Sequence, residues 1–439
     1  MSRALQWLAA SALVLAVLAA IVTWRNLQGE EPLQPDPPVA VSSEPNAAVH
    51  VVHAVPAALA ASRAVVLGAY LARAGNCAAC HTTPGGPAYA GGRAIATPFG
   101  SVYAGNLTPD ADTGLGRWSA AEFRRALRHG RSRDGRLLYP AFPYPHFSQV
   151  TPEDANALWA FLRSLPPVVQ ANRVHALRWP FNSQAALAVW RALYFSPTPF
   201  VPDAKQGTDW NRGAYLVNGL GHCAACHASR NLLGGAGGLA DADAGSTLAV
   251  QQWYAPSLAD PAEAGVSGWS ADEVVQLLKT GITDRASVMG PMADVVAGST
   301  QYLSEPDLRA MARYLATLPT PTPAALPRRD SRPADTLAQG EKLYTRHCAD
   351  CHGAQGQGAP GIYPALAGNR AVTLANPRNL VLAITRGGFA PATDANPRPY
   401  GMPAFDLSHA DLAALVTWLR AAWGHQAAAV SAVDVLLAR

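Results

Sequence analysis

The six cysteines of this 439-residue chain fall in three pairs, and a histidine follows each pair: CAACH from Cys77 to His81, CAACH from Cys223 to His227, and CADCH from Cys348 to His352. Two thiols three positions apart on a helical turn can each form a thioether to a haem vinyl group. The next residue then points its imidazole at the iron. Zinc would need two such pairs, or one pair and two spaced histidines, converging on a single ion. Here successive pairs begin 146 and 125 residues apart. Disulfides would leave three histidines in identical places without a reason. The pattern therefore predicts three covalently bound haem c groups, attached through Cys77, Cys80, Cys223, Cys226, Cys348 and Cys351, with His81, His227 and His352 on the irons.

The elements that position these motifs recur with them. LGAYLARAGNC and RGAYLVNGLGHC lead into the first two, and QGEKLYTRHC into the third; each is a short helical stretch carrying a Gly and a Tyr. Later in each repeat a second helix announces its start. Thr151, Ser304 and Ser408 are followed three residues on by Asp154, Asp307 and Asp411, a hydroxyl for free backbone N–H groups and an acid for the first turn. Leu158, Met311 and Leu415 then align, as do Phe161, Tyr314 and Trp418, which gives each helix an apolar stripe. This register assigns Met311 to packing, since its counterparts are leucines. GLGRWSAAEF and GVSGWSADEV add a capping box, Ser119 with Glu122 and Ser270 with Glu273, to the first two repeats. The third repeat lacks it. The first two are thus closer kin.

The fold class expected is all-α: three tandem cytochrome c domains behind an N-terminal transmembrane helix. The expected boundaries are an anchor at 1–27, a tether at 28–60, domains at 61–168, 205–322 and 333–425, a helical linker at 169–204 and a tail at 426–439. Charged residues make up only 15% of the chain, and the net charge of +4 is offset by haem propionates. No basic run stands out, so nucleic-acid binding is set aside. From Ala4 to Trp24 there is no charge, long enough for a helix across about 30 Å of hydrocarbon. A cleaved signal peptide is the alternative. Thioether cytochromes mature on the outer face of the bacterial inner membrane, so the expected location is that membrane with the bulk in the periplasm. The linker stretch RWPFNSQAALAVWRALYF has a helical, aromatic pattern, and burial between domains is expected for it, a docking surface being the alternative. His222 and His347 are expected at the haem rim, and His50, His53, His409 and His425 as exposed polar residues.

Several stretches together resemble the three-haem cytochrome c subunits of bacterial membrane-bound dehydrogenases, those of alcohol, gluconate and related sugar-acid dehydrogenases and of some molybdenum hydroxylases. They are NLTPDADTGLGRW, RWPFN, CAACHASRNLLGG, GPMADVVAGSTQYL, and CADCHGAQGQGAPGIYPALAGN with GMPAF, and the likeness runs from about Arg63 to Trp423. The resemblance implies electron transfer from a partner dehydrogenase catalytic subunit to quinone, a downstream cytochrome or an oxidase. It also implies a Met on the far side of each haem. Met402 fills that place in the third domain and Met292 in the second, which leaves Met289 to pack nearby. In the first domain Phe142 stands at the Met position. His146 is closest to the vacated place, on a loop stiffened by prolines at 143 and 145. His129 is a further candidate, although it is expected to end the helix begun at Ser119 as a cation favoured by the dipole. An open site is the remaining choice. It would suit the alternative function, a haem enzyme or a cytochrome that binds gas or peroxide.

Overall fold

The computed structural model describes residues 3–30, 57–321 and 333–439. His50 and His53 lie outside them. The chain starts with α1 (Arg3–Leu27). The first repeat contains α2 (Ala57–Ala74), α3 (Cys77–His81), α4 (Ala120–His129), α5 (Tyr144–Phe147) and α6 (Pro152–Ser164). After the connecting helix α7 (Gln184–Tyr194), the second repeat contains α8 (Thr208–Tyr215), α9 (Ala224–His227), α10 (Ala271–Thr280), α11 (Pro291–Gly298) and α12 (Glu305–Leu315). The third contains α13 (Ala334–His347), α14 (Ala349–His352), α15 (Arg370–Thr373), α16 (Arg378–Arg386), α17 (His409–Leu419) and α18 (Ala432–Ala438). Strands are few. An antiparallel sheet of β1 (Ala94–Thr97), β2 (Gly100–Tyr103) and β3 (Ala176–Leu177) accompanies the hairpins β4 (Ser246–Thr247) with β5 (Tyr254–Ala255) and β6 (Gly388–Phe389) with β7 (Gly401–Met402).

The helix before each CxxCH crosses the Ser/Thr-capped helix late in its repeat: α2 on α6, α8 on α12 and α13 on α17. One glycine makes each crossing close. A Cβ on Gly68 would meet the Ala157 carbonyl and Phe161, one on Gly213 the Ala310 carbonyl and Tyr314, and one on Gly340 the Ala414 carbonyl and Trp418. The Gly of the leading stretch and the aromatic of the trailing helix are therefore two halves of one contact. Backbones this close leave no room for a side chain. The caps form as expected, with Thr151, Ser304 and Ser408 accepting from the N–H groups of Asp154, Asp307 and Asp411, and with both capping boxes present.

The first two repeats share a single hydrophobic core running from Leu71 to Leu318, in which Met311 is buried as a packing residue. Residues from Tyr344 onward build a second core. Two reciprocal hydrogen bonds lock the shared core. Tyr70 on α2 donates to Asp307 Oδ2 (2.5 Å) at the start of α12, and Tyr215 on α8 donates to Asp154 Oδ2 (2.6 Å) at the start of α6. Each tyrosine oxygen in turn accepts a backbone N–H, from Ser304 and from Thr151. Arg212 grips Asp307 with two bonds of 2.8 Å. Tyr70 stands seven residues before Cys77 but Tyr215 stands eight before Cys223. A π-helical turn, Leu216–Leu220, absorbs the extra residue and keeps the two halves in step.

Two expectations change. The linker helix α7 buries Leu187 and Arg191 but packs alongside α1, and it leaves Val189 and Leu193 exposed. It is not simply a spacer buried between cytochrome domains. Residues 426–439 are no loose tail, because α18 sinks Val435 and Ala438 into the second core against α16 and α17.

The latch generates a stability test. Against the upward push of burial, hydrogen bonds from Arg212 and Tyr70 hold the Asp307 carboxyl below its usual range. Burial pushes that of Asp154 up. Asp307→Asn should cost about 2 kcal/mol, a figure discounted because Arg212 is partly solvated, and Asp154→Asn about 1 kcal/mol. A depressed carboxyl contributes stability above its unfolded pKa and loses it as pH falls through the folded one. Denaturant midpoints should therefore separate wild type from the Asp307 variant at pH 7 and converge in acid. Equal midpoints at pH 7 would count against the latch.

Candidate haem sites

In α3, α9 and α14 each CxxCH motif forms a single helical turn. Among the described residues the cysteines are free thiols. Burial pushes the Cys77 and Cys223 thiols up to about 12 and that of Cys348 up to about 11. No group of three or more metal-binding side chains gathers among the described residues. Thioether attachment makes no demand on such a cluster.

The three histidines share one local geometry. His81 Nδ1 is 2.7 Å from the Gly105 carbonyl, His227 Nδ1 is 2.7 Å from that of Pro256, and His352 Nδ1 is 2.9 Å from that of Pro364. Burial holds all three imidazoles below their usual pKa, with the carbonyl contact acting the other way. A neutral ring that donates from Nδ1 presents its Nε2 lone pair outward, as a metal ligand must. A glycine with positive φ backs each arrangement. Gly91, Gly245 and Gly358 donate their N–H groups to the carbonyls of His81, His227 and His352. A side chain on Gly91 would strike the Gly105 carbonyl, and one on Gly358 would strike the backbone around Pro364. Sequence reasoning misses these glycines. Their only signal is a small residue some six to eighteen positions after each haem histidine, too variable a spacing to read without the fold.

A further feature fits haem. The indole Nε1 of Trp269 is buried without a hydrogen-bond partner among the described residues. The guanidinium groups of Arg285 and Arg370 lie over the same ring, at 4.9 and 4.7 Å. One orphaned donor beside two cations suits a carboxylate-bearing group such as a haem propionate.

The first two motifs lie side by side. Cys80 is within electrostatic reach of Cys226, and Leu220 packs where a Cβ on Gly75 would point. His222 hydrogen-bonds the Gly75 backbone and meets the Phe147 ring edge-on at 5.7 Å.

The candidate far-side residues divide among different elements. Met292 is the second residue of α11 and half-buried against the shared core, two residues after Gly290, where a Cβ would strike the Trp253 indole. Met289 reaches the neighbourhood of Gly388 in β6. Met402 lies in β7 opposite Gly388 and packs on the second core. Phe142 is half-buried against the shared core, 5.4 Å from the Phe147 ring. His146 sits on α5 at the seam with the second repeat. Burial and the nearby His222 and Arg230 push its pKa down to about 4, against a hydrogen bond with the Asn218 backbone. His129 ends α4 as expected, but not as a cation. Burial and four neighbouring arginines, Arg128, Arg191, Arg131 and Arg125, drive it down to about 4. Burial first, and then this repulsion, keep the ring neutral at pH 7. His425 is also no idle surface residue, since it bridges the Gly368 N–H and the Leu419 carbonyl.

Comparison with known proteins agrees with this geometry. The cytochrome c family model matches residues 65–166 and 337–423. The cytochrome c subunit of a quinone-dependent alcohol dehydrogenase from Gluconacetobacter polyoxogenes is 41% identical, over 85% of this chain and 84% of that protein. The gluconate 2-dehydrogenase cytochrome c subunit of Pantoea cypripedii is 37% identical, over 84% and 88%. The fructose dehydrogenase cytochrome subunit of Gluconobacter japonicus is 35% identical, over 83% and 80%. The two stretches the family model matches carry the first and third CxxCH motifs, and on these identities the chain belongs to the family of cytochrome c subunits of membrane dehydrogenases.

Proposed function

We propose that this chain carries three haem c groups and relays electrons from a dehydrogenase catalytic subunit to quinone, another cytochrome or an oxidase, in the periplasm, from an anchor in the inner membrane. The observation that supports it most directly is the threefold recurrence of a CxxCH turn whose histidine Nδ1 meets a backbone carbonyl. Haem c supplies reversible one-electron chemistry at its iron. The chain's residues set the terms of that chemistry. Cys77, Cys80, Cys223, Cys226, Cys348 and Cys351 would hold the porphyrins covalently, and His81, His227 and His352 would bind one face of each iron. Met292 and Met402 would bind the opposite face in the second and third sites. A thioether favours ferrous iron, so these two sites should lie at higher potential than a site with two imidazoles. In the first site His146 is the proposed ligand, with an open position as the competing arrangement.

The anchor reading draws on α1, whose 25 residues have a mean hydropathy of 2.3 in their most apolar window and none of that window buried. At about 1.5 Å per residue such a helix is long enough to span the hydrocarbon core.

Three measurements test the proposal. The purified chain should show the mass of three haems and stay coloured after denaturation, and Cys348→Ala should disturb only the third attachment. A mass accounting for fewer than three would remove the premise. Met292→His and Met402→His should each move one step of a redox titration to lower potential and leave the other steps nearly in place. If Met289→Leu alters a haem spectrum and Met292→Leu does not, the ligand is Met289 instead. For the first site, the wild type should give a low-spin signal from two imidazoles in magnetic resonance spectra, absent in His146→Ala. Persistence in the variant would exclude His146. Absence from both proteins, together with carbon monoxide binding by the ferrous form, would favour the open site and the haem-enzyme alternative.

A further inference from the structure

We infer that the chain meets the lipid bilayer through more than α1: a second face, built by α7, the residues before it and the Leu232–Leu233 turn, seats on the outer leaflet beside the anchor. This rests on reading α1 as a membrane helix. The depth of the second face follows from how α7 is fastened. Asn26, one residue before the end of α1, is buried and donates to the carbonyls of Val22 and Ala188. Arg25 donates to the carbonyl of Ala192, Arg191 to the Asn26 side chain, and Arg131 to the Asn26 carbonyl. Just beyond, Glu30 pairs with Arg131 at 2.9 Å. The uncharged stretch of α1 ends at Trp24, so Arg25 and Asn26 belong at headgroup level. Ala188 and Ala192 are bonded to them and are held at the same level.

The outward side of α7 has the chemistry of that depth. Leu187 and Arg191 point into the protein, Ala188 and Ala192 toward α1, and Val189 and Leu193 away from both. Leu193 is 62% exposed, Trp179 just before the helix 83%, and Leu232 98%. The Leu232–Leu233 turn is joined to α7, because Trp190 Nε1 donates to the Leu233 carbonyl at 2.8 Å. Exposed Trp and Leu side chains on linked segments are unusual in contact with water and ordinary at a bilayer surface. Charge points the same way. Between Asp154 and Asp203 the sequence has no acidic residue, while Arg163, Arg173 and Arg178 fall within it in addition to the buried Arg191. An acid-free, arginine-bearing segment suits anionic phospholipid headgroups. With this seat the anchor would fix the tilt of the first two haem sites to the membrane as well as their attachment to it.

The test uses the full haem-loaded chain in nanodiscs of phosphatidylethanolamine and phosphatidylglycerol containing a phospholipid with a diazirine high on its acyl chain. After irradiation, lipid adducts are mapped by mass spectrometry. Adducts are expected on α1 and also on Trp179, Leu193 and Leu232. The double variant Val189→Glu with Leu193→Glu should keep its haem spectrum and its α1 adducts and lose adducts at Leu232 by about tenfold. Adducts on α1 alone in the wild type would overturn the second contact and leave the anchor intact. Absence from α1 would instead remove the anchor reading, and this inference with it. Repeating the labelling in native membranes with the dehydrogenase subunits present adds a further outcome: protection of Leu193 and Leu232 there would show that a protein partner, not lipid, covers the face.

Discussion

A neutral histidine keeps its Nε2 lone pair free and its ring fixed when a set acceptor claims the proton on Nδ1. In this chain a backbone carbonyl receives it three times, from Gly105, Pro256 and Pro364. Much of the surrounding fold follows from that need. The carbonyl must be brought back over the CxxCH turn by the loop that follows it, and the turn must be held still while this happens. A positive-φ glycine closes the loop by donating to the histidine's own carbonyl, and the glycine-mediated helix crossing fixes the turn from the other side. Local backbone chemistry and long-range packing therefore meet on one ring.

The three repeats use this device alike but are assembled differently. The first two exchange tyrosine-to-aspartate hydrogen bonds and share one core, with a π turn taking up the residue by which their leading helices differ. Lys342 stands two residues after the crossing glycine Gly340, where Tyr70 and Tyr215 stand two after Gly68 and Gly213, so the third cannot join the exchange. It keeps its own core and contacts the second through polar groups and through apolar ones, Met289 near Gly388 and Pro391 near Gly281. Asn369 donates to Ser287 Oγ, the Arg370 N–H donates to the Arg285 carbonyl, and both arginines lie over Trp269. The spacing of the first two CxxCH turns is therefore set by one packed core, which deforms little.

Part of this architecture is legible in the order of residues alone. The CxxCH turns, the N-caps at Thr151, Ser304 and Ser408, and the capping boxes at Ser119 and Ser270 all depend on residues within four positions of one another. The kinship of the first two repeats is visible there too. The fate of His129 is not: its place at the end of α4 is readable, but its neutrality comes first from burial and then from neighbouring arginines, among them Arg191, which α7 brings to it. The side of His146 that faces Asn218 and His222, and the partnership of α7 with α1, are likewise invisible without the fold.

What the sequence determined by itself was the local chemistry: which residues can bond haem, where helices begin, and which face of each is apolar. Such features are set by backbone geometry over one or two turns. What only the tertiary structure decided was the partner of each of those groups. The carbonyls that orient His81, His227 and His352 lie 24, 29 and 12 residues away, and the aspartates that receive Tyr70 and Tyr215 lie 237 and 61 residues away. No period in the sequence encodes those separations, because they are set by how whole helices cross, and the crossings are set by the burial of apolar surface that many residues contribute together.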